Sequence, residues 1–191
     1  TKSGIVGLLG CALGIARGDQ RLQALSEALT MAVRADRSGK ILKDYHTIQG
    51  ERGVVINALG EKRGGNGTIL SERYYLQDAC FTVMLAGADS VLEECANALR
   101  APCFLLFLGR KCCVPSQPIL PILTQRYASL QEAALHYPLA VRTGGELSAH
   151  IECEQGAYLR RDQVICSCQY LFGRRHYEII RVPAEEVDAC I

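Results

Sequence analysis

DACFTVMLAGADSVLEECANALRAPCFLLFL, residues 78–108, is the stretch on which the fold turns. Asp78 to Ala86 is a nearly unbroken apolar run and predicts a central strand. From Ala88 to Arg100 the period changes. Val91, Leu92, Cys95 and Leu99 fall on one face of a helix. Phe104 to Leu108 then reads as a short buried strand, so the segment is strand, helix, strand.

Toward the N-terminus the pattern continues. Thr30 to Asp36 alternates, with Met31, Val33 and Ala35 on one side and Thr30, Ala32, Arg34 and Asp36 on the other, as in a half-buried strand. A Ser38-Gly39 turn leads to an extended Ile41–Ile48. Gly50 to Gly67 holds glycines 50, 53, 60, 64, 65 and 67 with Arg52, Lys62 and Arg63. Its flanking arms, Lys43–Ile48 and Thr68–Leu76, make it a long two-stranded finger; an ordinary loop is the alternative. Ser3 is placed to cap a helix from Gly4 to Leu13 ended by Gly14. Its glycines at 4, 7 and 10 leave one side thin enough to lie close to a sheet. Asp19 caps a second helix through Leu22, Leu25 and Leu29.

With one further strand expected ahead of Thr1, these elements spell an α+β, ferredoxin-like βαββαβ body. The expected organisation is residues 1–118 as that body, with a thumb-like hairpin at about 46–76. Residues 119–191 follow as a β-rich portion packed into the same body. There Ser129-Leu-Gln-Glu132 is a capping box for a short helix to Tyr137. Leu147, Ala149, Ile151 and Cys153 alternate, as do Tyr177, Ile179 and Arg181 against Glu178, Ile180 and Val182.

In 191 residues, 21 Lys and Arg against 20 Asp and Glu leave a net charge of +1, which excludes a strongly cationic, tail-driven nucleic-acid binder but not a local basic groove. Sixteen of the 21 bases are Arg, suited to planar phosphate contacts. The ten cysteines sit mostly where a small apolar residue would: Cys80, Cys95 and Cys103 are read as reduced, buried thiols. Cys112-Cys113 and Cys166/Cys168 lack zinc-site spacing, and the four histidines (46, 136, 150 and 176) are scattered, so no metal site is expected. Ile5–Ala16 looks like a short signal-peptide core, and Leu8-Leu9-Gly10-Cys11 like a lipoprotein box. The helical spacing of the glycines favours a helix instead. No apolar run is long enough for a membrane span.

Catalytic motifs are thin. Cys112 beside Lys111 is one candidate nucleophile, but inert filler is the simpler reading. His46, Tyr45 and Lys111 would suit a metal-independent ribonuclease, against the plainer reading that His46 and Tyr45 line a strand and a groove. Binding chemistry is richer. Lys2 and Ser3 sit at a helix start, where free N–H groups favour a phosphate. Arg110 and Lys111 follow Gly109 in a loop able to approach a sugar-phosphate chain. Arg34, Arg37, Lys40 and Lys43 cluster near one turn, and Tyr45, Tyr74 and Tyr75 are placed to stack on bases. Together these favour single-stranded nucleic acid.

Four segments carry a resemblance. They are Thr1-Lys2-Ser3-Gly4-Ile5-Val6-Gly7-Leu8-Leu9 with the Ala12-Leu13-Gly14 and Leu22–Glu27 that follow; Lys43-Asp44-Tyr45-His46-Thr47; Arg73-Tyr74-Tyr75-Leu76-Gln77-Asp78-Ala79-Cys80-Phe81-Thr82-Val83; and Leu108-Gly109-Arg110-Lys111-Cys112-Cys113 with Pro115 and Pro118. In this order the chain resembles the CasD family of type I-E CRISPR Cascade subunits, in the RAMP superfamily. The resemblance weakens between about 120 and 156. It implies an RRM-related body with a thumb hairpin, capping the Cascade backbone and gripping the 5′ handle of the CRISPR RNA. The thumb of such proteins displaces a base at the first guide position. The implied partners are the handle, a CasC-type backbone subunit, a CasA-type large subunit and, through the complex, target DNA. No membrane contact or cofactor is implied, and the setting is the cytoplasm. The expected role is non-catalytic, since precursor RNA is cut by CasE in type I-E; a related subtype uses its CasD-like protein for that step, which keeps an endoribonuclease as the alternative. The expected RNA-binding residues are Lys2, Ser3, Arg34, Lys43, Tyr45, His46, Thr47, Arg73, Gly109, Arg110, Lys111 and Cys112.

Overall fold

The computed structural model describes residues 1–50, 54–56, 59–63, 68–166, 169–185 and 187. Helix α1 (Lys2–Ala12) begins two residues earlier than the sequence suggests, because Thr1 and not Ser3 is its cap: the Thr1 hydroxyl accepts from the Gly4 N–H at 3.3 Å. Gly14, at φ +71°, follows its end. Helix α2 (Arg21–Ala28) starts where Asp19 Oδ1 accepts from the Arg21 N–H at 2.9 Å. At Gly10 the thin side of α1 meets α2, while Val6 and Leu9 of the same helix pack with Val164 and Phe172 of two later strands. A Cβ on Gly10 would stand 2.4 Å from Leu22 Cδ2, so any side chain there would require Leu22 to move.

Strand β1 (Thr30–Arg37) forms as the alternation predicts, but the faces carry unexpected loads. Ala32, Arg34 and Asp36 are each fully buried. Arg34 Nε is 2.6 Å from Asp36 Oδ1 on the same face, two residues along the strand. The guanidinium also donates to Ala134 O (3.0 Å), Tyr137 O (2.6 Å) and Pro138 O (2.9 Å). Asp36 Oδ2 accepts from Thr82 Oγ1 (2.6 Å) and the Ala140 N–H (3.0 Å).

A ribbon follows. Strand β2 (Lys40–Gln49) pairs antiparallel with a later strand, and between them lies a two-residue pair, β3 (Val55–Ile56) and β4 (Lys62–Arg63). The later strand, β5 (Thr68–Gln77), runs in unbroken register from Lys40 opposite Gln77 to Gln49 opposite Thr68. The finger is thus real and starts nearer its base than residue 46. Arg52, Gly53, Gly64, Gly65 and Gly67 of the expected tip lie outside the described residues.

Strand β6 (Cys80–Ala86) and helix α3 (Asp89–Arg100) follow as expected, and Val91, Leu92, Cys95 and Leu99 all pack into one apolar cluster with Val6, Leu9 and Leu25. Two expectations fail here. Among the described strands β6 is an edge and not a centre. Phe104–Leu108 is no strand: Phe104 and Leu105 are 57% and 72% exposed, and the segment is tied to α1 by Cys103 N–H to Ala12 O (2.8 Å) and Cys11 Sγ to Leu105 O (3.3 Å). An apolar run states a preference for burial but does not supply a strand to pair with. Cys103 is likewise exposed; among the described cysteines only Cys95 is buried, and none is in a disulfide.

Helix α4 (Leu130–His136) has the predicted cap: Ser129 Oγ accepts from the Glu132 N–H at 3.1 Å, while Glu132 reaches back to the N–H of Ala128 at 2.7 Å. Strands β7 (Glu146–Glu152), β8 (Tyr158–Cys166) and β9 (Leu171–Pro183) complete a sheet of order β6-β1-β7-β9-β8, whose β1–β7, β7–β9 and β8–β9 pairs are antiparallel. One sheet face packs α4 through Leu147, Ala149 and Val182; Val164 of β8 joins the cluster of α1, α2 and α3. The chain divides into two compact units, 1–36 with 81–191 and the ribbon 37–80, so residues on both sides of position 118 lie in the larger one.

Removing one member of a buried, fully bonded ion pair leaves the other charged and unsolvated. Arg34→Ala is expected to lower stability by about 3–5 kcal/mol, read from the urea midpoint. Arg181→Ala, whose partner Glu146 is exposed, is expected to leave that midpoint nearly unmoved.

Candidate nucleic-acid interface

Two of the expected RNA-binding cations are interior groups. Arg34, satisfied under α4, has no face toward solvent, and the sequence shows only an Arg among residues read as the polar side of a strand. Lys2 is 3% exposed; its ammonium lies 2.6 Å from Glu152 Oε1, and its backbone N–H donates to Asp162 Oδ2 at 2.8 Å. A carboxylate from β8 therefore already occupies the helix start where a phosphate was expected. Arg175 closes the network, donating to both Asp162 oxygens at 2.9 Å each. Burial pushes the Asp162 carboxyl up, but the Arg175 guanidinium and the Lys2 N–H outweigh it and hold the group below its ordinary 3.8.

The remaining expected residues of the larger unit do come together. The loop after Leu108 is a tight turn: Leu108 N–H donates to Cys113 O (2.9 Å), and Cys113 N–H to Arg110 O (2.8 Å). Gly109 turns it at φ +79°. Arg110, Lys111 and Cys112 stand exposed at its tip. Gly109 closes one side of a cleft of about 300 Å³ that Ser3 and Gly4 of α1 also line. Val164 and Phe172, on β8 and β9, are among its apolar lining. Arg17 and Tyr170 complete it, with the Arg17 guanidinium carbon 4.4 Å from the centre of the Tyr170 ring. The sequence reading missed both. A lone Arg after a helix and a Tyr between two strands carry no periodic signal, and only the fold brings them together.

A second group was also missed. Tyr177 on β9 stacks between His150 of β7 (5.3 Å between ring centres) and Tyr158 of β8 (5.5 Å), with Arg160 5.1 Å from its centre. Burial lowers the His150 pKa, and Arg160 and Arg175 lower it further.

In the ribbon, residue parity separates two faces. Lys43, Tyr45 and Thr47 share one with Glu72, Tyr74 and Leu70; Asp44 and His46 share the other with Arg73. Lys43 pairs with Glu72 at 2.6 Å, and His46 Nε2 with Asp44 Oδ2 at 2.6 Å. Tyr45 and Tyr74 are 60% and 57% exposed, on adjacent strands of one face, as base-stacking side chains would have to be. Among the described residues, no three His, Cys, Asp or Glu side chains form a metal-holding group, and no helix is long and apolar enough to cross a membrane.

Residues 1–183 match the family model for the CRISPR-associated protein (Cas_Cas5), and the chain belongs to that family. It is 34% identical over 198 residues to the CRISPR system Cascade subunit CasD of Escherichia coli (strain K12), covering 95% of this chain and 83% of that protein. Two solved structures are similar. One, described as the crystal structure of a Cas protein, is 33% identical, with TM-score 0.72 over 99% of this chain and 84% of that one. The other, from a CRISPR RNA-guided surveillance complex, is 30% identical, with TM-score 0.72 over 100% of this chain and 82% of that one. The motif-borne resemblance to the CasD family is therefore matched along the whole chain.

The Asp162 linkage has a defined sign. A carboxyl held low in the folded chain stabilises it fully above the ordinary value and loses that contribution as pH falls through its folded value. Asp162→Asn is expected to lower the thermal midpoint near neutral pH, with the gap from the parent chain shrinking once pH drops below 3.8.

Proposed function

We propose that the chain is a non-catalytic, cytoplasmic subunit of a Cascade-type CRISPR effector that holds the 5′ handle of the CRISPR RNA. The observation that carries this reading is the convergence of Ser3 and Gly109, 106 positions apart, on one cleft beside the exposed Arg110 and Lys111. Cations on a glycine-led turn beside an apolar cleft suit a phosphate chain with its bases turned out. The names of the relatives, a Cascade subunit and an RNA-guided complex, point the same way. In this reading the ribbon is the thumb that displaces a base at the start of the guide, and the chain caps the backbone filament. A CasC-type subunit and a CasA-type subunit are its neighbours, and target DNA is met through the assembly. The ferredoxin-like, RAMP description of the body is part of the proposal, supported by α1 and α2 leading into β1 and by β6, next to β1, leading into α3.

An endoribonuclease is the less favoured reading. His46 is held by Asp44 on one face of the ribbon, Tyr45 points to the other, and Lys111 belongs to the larger unit.

The double variant Arg110→Ala/Lys111→Ala is expected to weaken RNA retention in the assembled complex. It is also expected to flatten the salt dependence of binding by about 0.7 for each phosphate no longer neutralised. Unchanged affinity and slope would remove the loop from the site. Repeat RNA incubated with the chain in EDTA is expected to stay intact; specific cleavage that disappears in His46→Ala would replace the binding role with a catalytic one.

A further inference from the structure

We infer that the cleft between α1 and the β8–β9 turn seats one unpaired nucleobase of the bound RNA, against Tyr170 with Arg17 at its mouth. This rests on the RNA-holding role above and names the part of the RNA that is recognised there.

The chemistry of the walls separates base from phosphate. Val6, Leu22, Val164 and Phe172 line the interior, and a phosphate driven among them would lose its water without gaining a partner. A base brings apolar π-faces to such walls and keeps its polar edge for the mouth. The cations stand where the sugar-phosphate chain would then run: Arg17 at the rim, and Arg110 and Lys111 on the turn next to Gly109. An aliphatic side chain from a protein neighbour would fit the walls but has no use for a basic mouth.

Gly7 supplies a second observation. A Cβ built on it meets nothing within 4 Å, unlike Gly10, where Leu22 would have to shift. Glycine is disfavoured inside a helix relative to alanine. Packing explains Gly10 but gives no reason for Gly7. Gly7 lines the cleft, so any side chain there would intrude on its space.

Tyr170 supplies the third. It is 69% exposed and holds φ at +53°, a region that side chains other than glycine seldom adopt. An exposed aromatic ring kept in a strained turn, with a guanidinium 4.4 Å over its centre, is a stacking surface fixed in advance.

The test uses the complex assembled from this chain and its neighbouring subunits, with CRISPR RNA carrying 2-aminopurine at one handle position at a time. One position is expected to be quenched in the parent complex. Its fluorescence is expected to rise in both Tyr170→Ala and Gly7→Leu, with the other positions unchanged, and Tyr170→Ala is expected to weaken RNA binding about tenfold. Gly7→Leu fills the cleft from a helix with open space beyond it, so its thermal midpoint is expected to match or exceed the parent's, which separates a filled site from a damaged fold. If RNA stays bound and no position responds to either variant, the base site is wrong while the RNA-holding role stands. Release of a protein neighbour by Gly7→Leu, with all positions unmoved, would assign the cleft to a protein side chain instead. A parent complex that carries no RNA would overturn the RNA-holding role itself.

Discussion

Arg34 and Asp36 are buried side by side on β1, and much of the larger unit is arranged around satisfying them. Two charges in a sheet interior demand partners on every side. The last carbonyls of α4 and the chain just beyond it supply the acceptors for Arg34. Thr82 of β6 and the N–H of Ala140 supply the donors for Asp36. One pair therefore fixes the end of α4, the loop that leaves it and the strand beside β1. The carbonyls at a helix C-terminus carry partial negative charge, so a guanidinium is the natural group to close that end.

A second interior network does the same for the other helical layer. Lys2, Glu152, Asp162 and Arg175 tie the start of α1 to β7, β8 and β9, and Glu152 also accepts from the Met31 N–H at 3.0 Å. This sorts the cations by role. Those satisfied inside the protein, Arg34 and Lys2, position elements. Arg110 and Lys111, on the turn after Gly109, are instead exposed.

The elements legible in the sequence were those whose signal is local. The α3 face, the Ser129 cap and the alternations of β1, β7 and β9 depend on neighbours a few residues away. What failed depends on distant partners. Arg34 reads as one of a ligand-facing group with Arg37, Lys40 and Lys43 because nothing near it in sequence announces the carbonyls about a hundred residues on that it donates to. Phe104–Leu108 was assigned to a strand because an apolar run does not reveal whether a pairing partner exists. The site was half visible. Ser3 and the Gly109 turn stand out as chemistry, whereas Arg17 and Tyr170 acquire meaning only once α1 and the β8–β9 turn meet.

The ribbon poses the remaining physical question. Ile41, Tyr45, Leu70, Tyr74 and Leu76 line one face of a two-stranded sheet, and each is more than half exposed. A hairpin of this kind is marginally stable by itself in water. Its ordered pairing over ten positions on each strand rests on backbone bonds and cross-strand contacts that bury little. Coverage of that face on assembly would add the burial it lacks, so its stability and its binding are coupled through the same side chains. The only described ion pair on that face joins Lys43 to Glu72, which leaves the face without net charge. Such a surface is suited to rings and apolar groups rather than to a phosphate backbone, the opposite division of labour from the basic turn at Gly109.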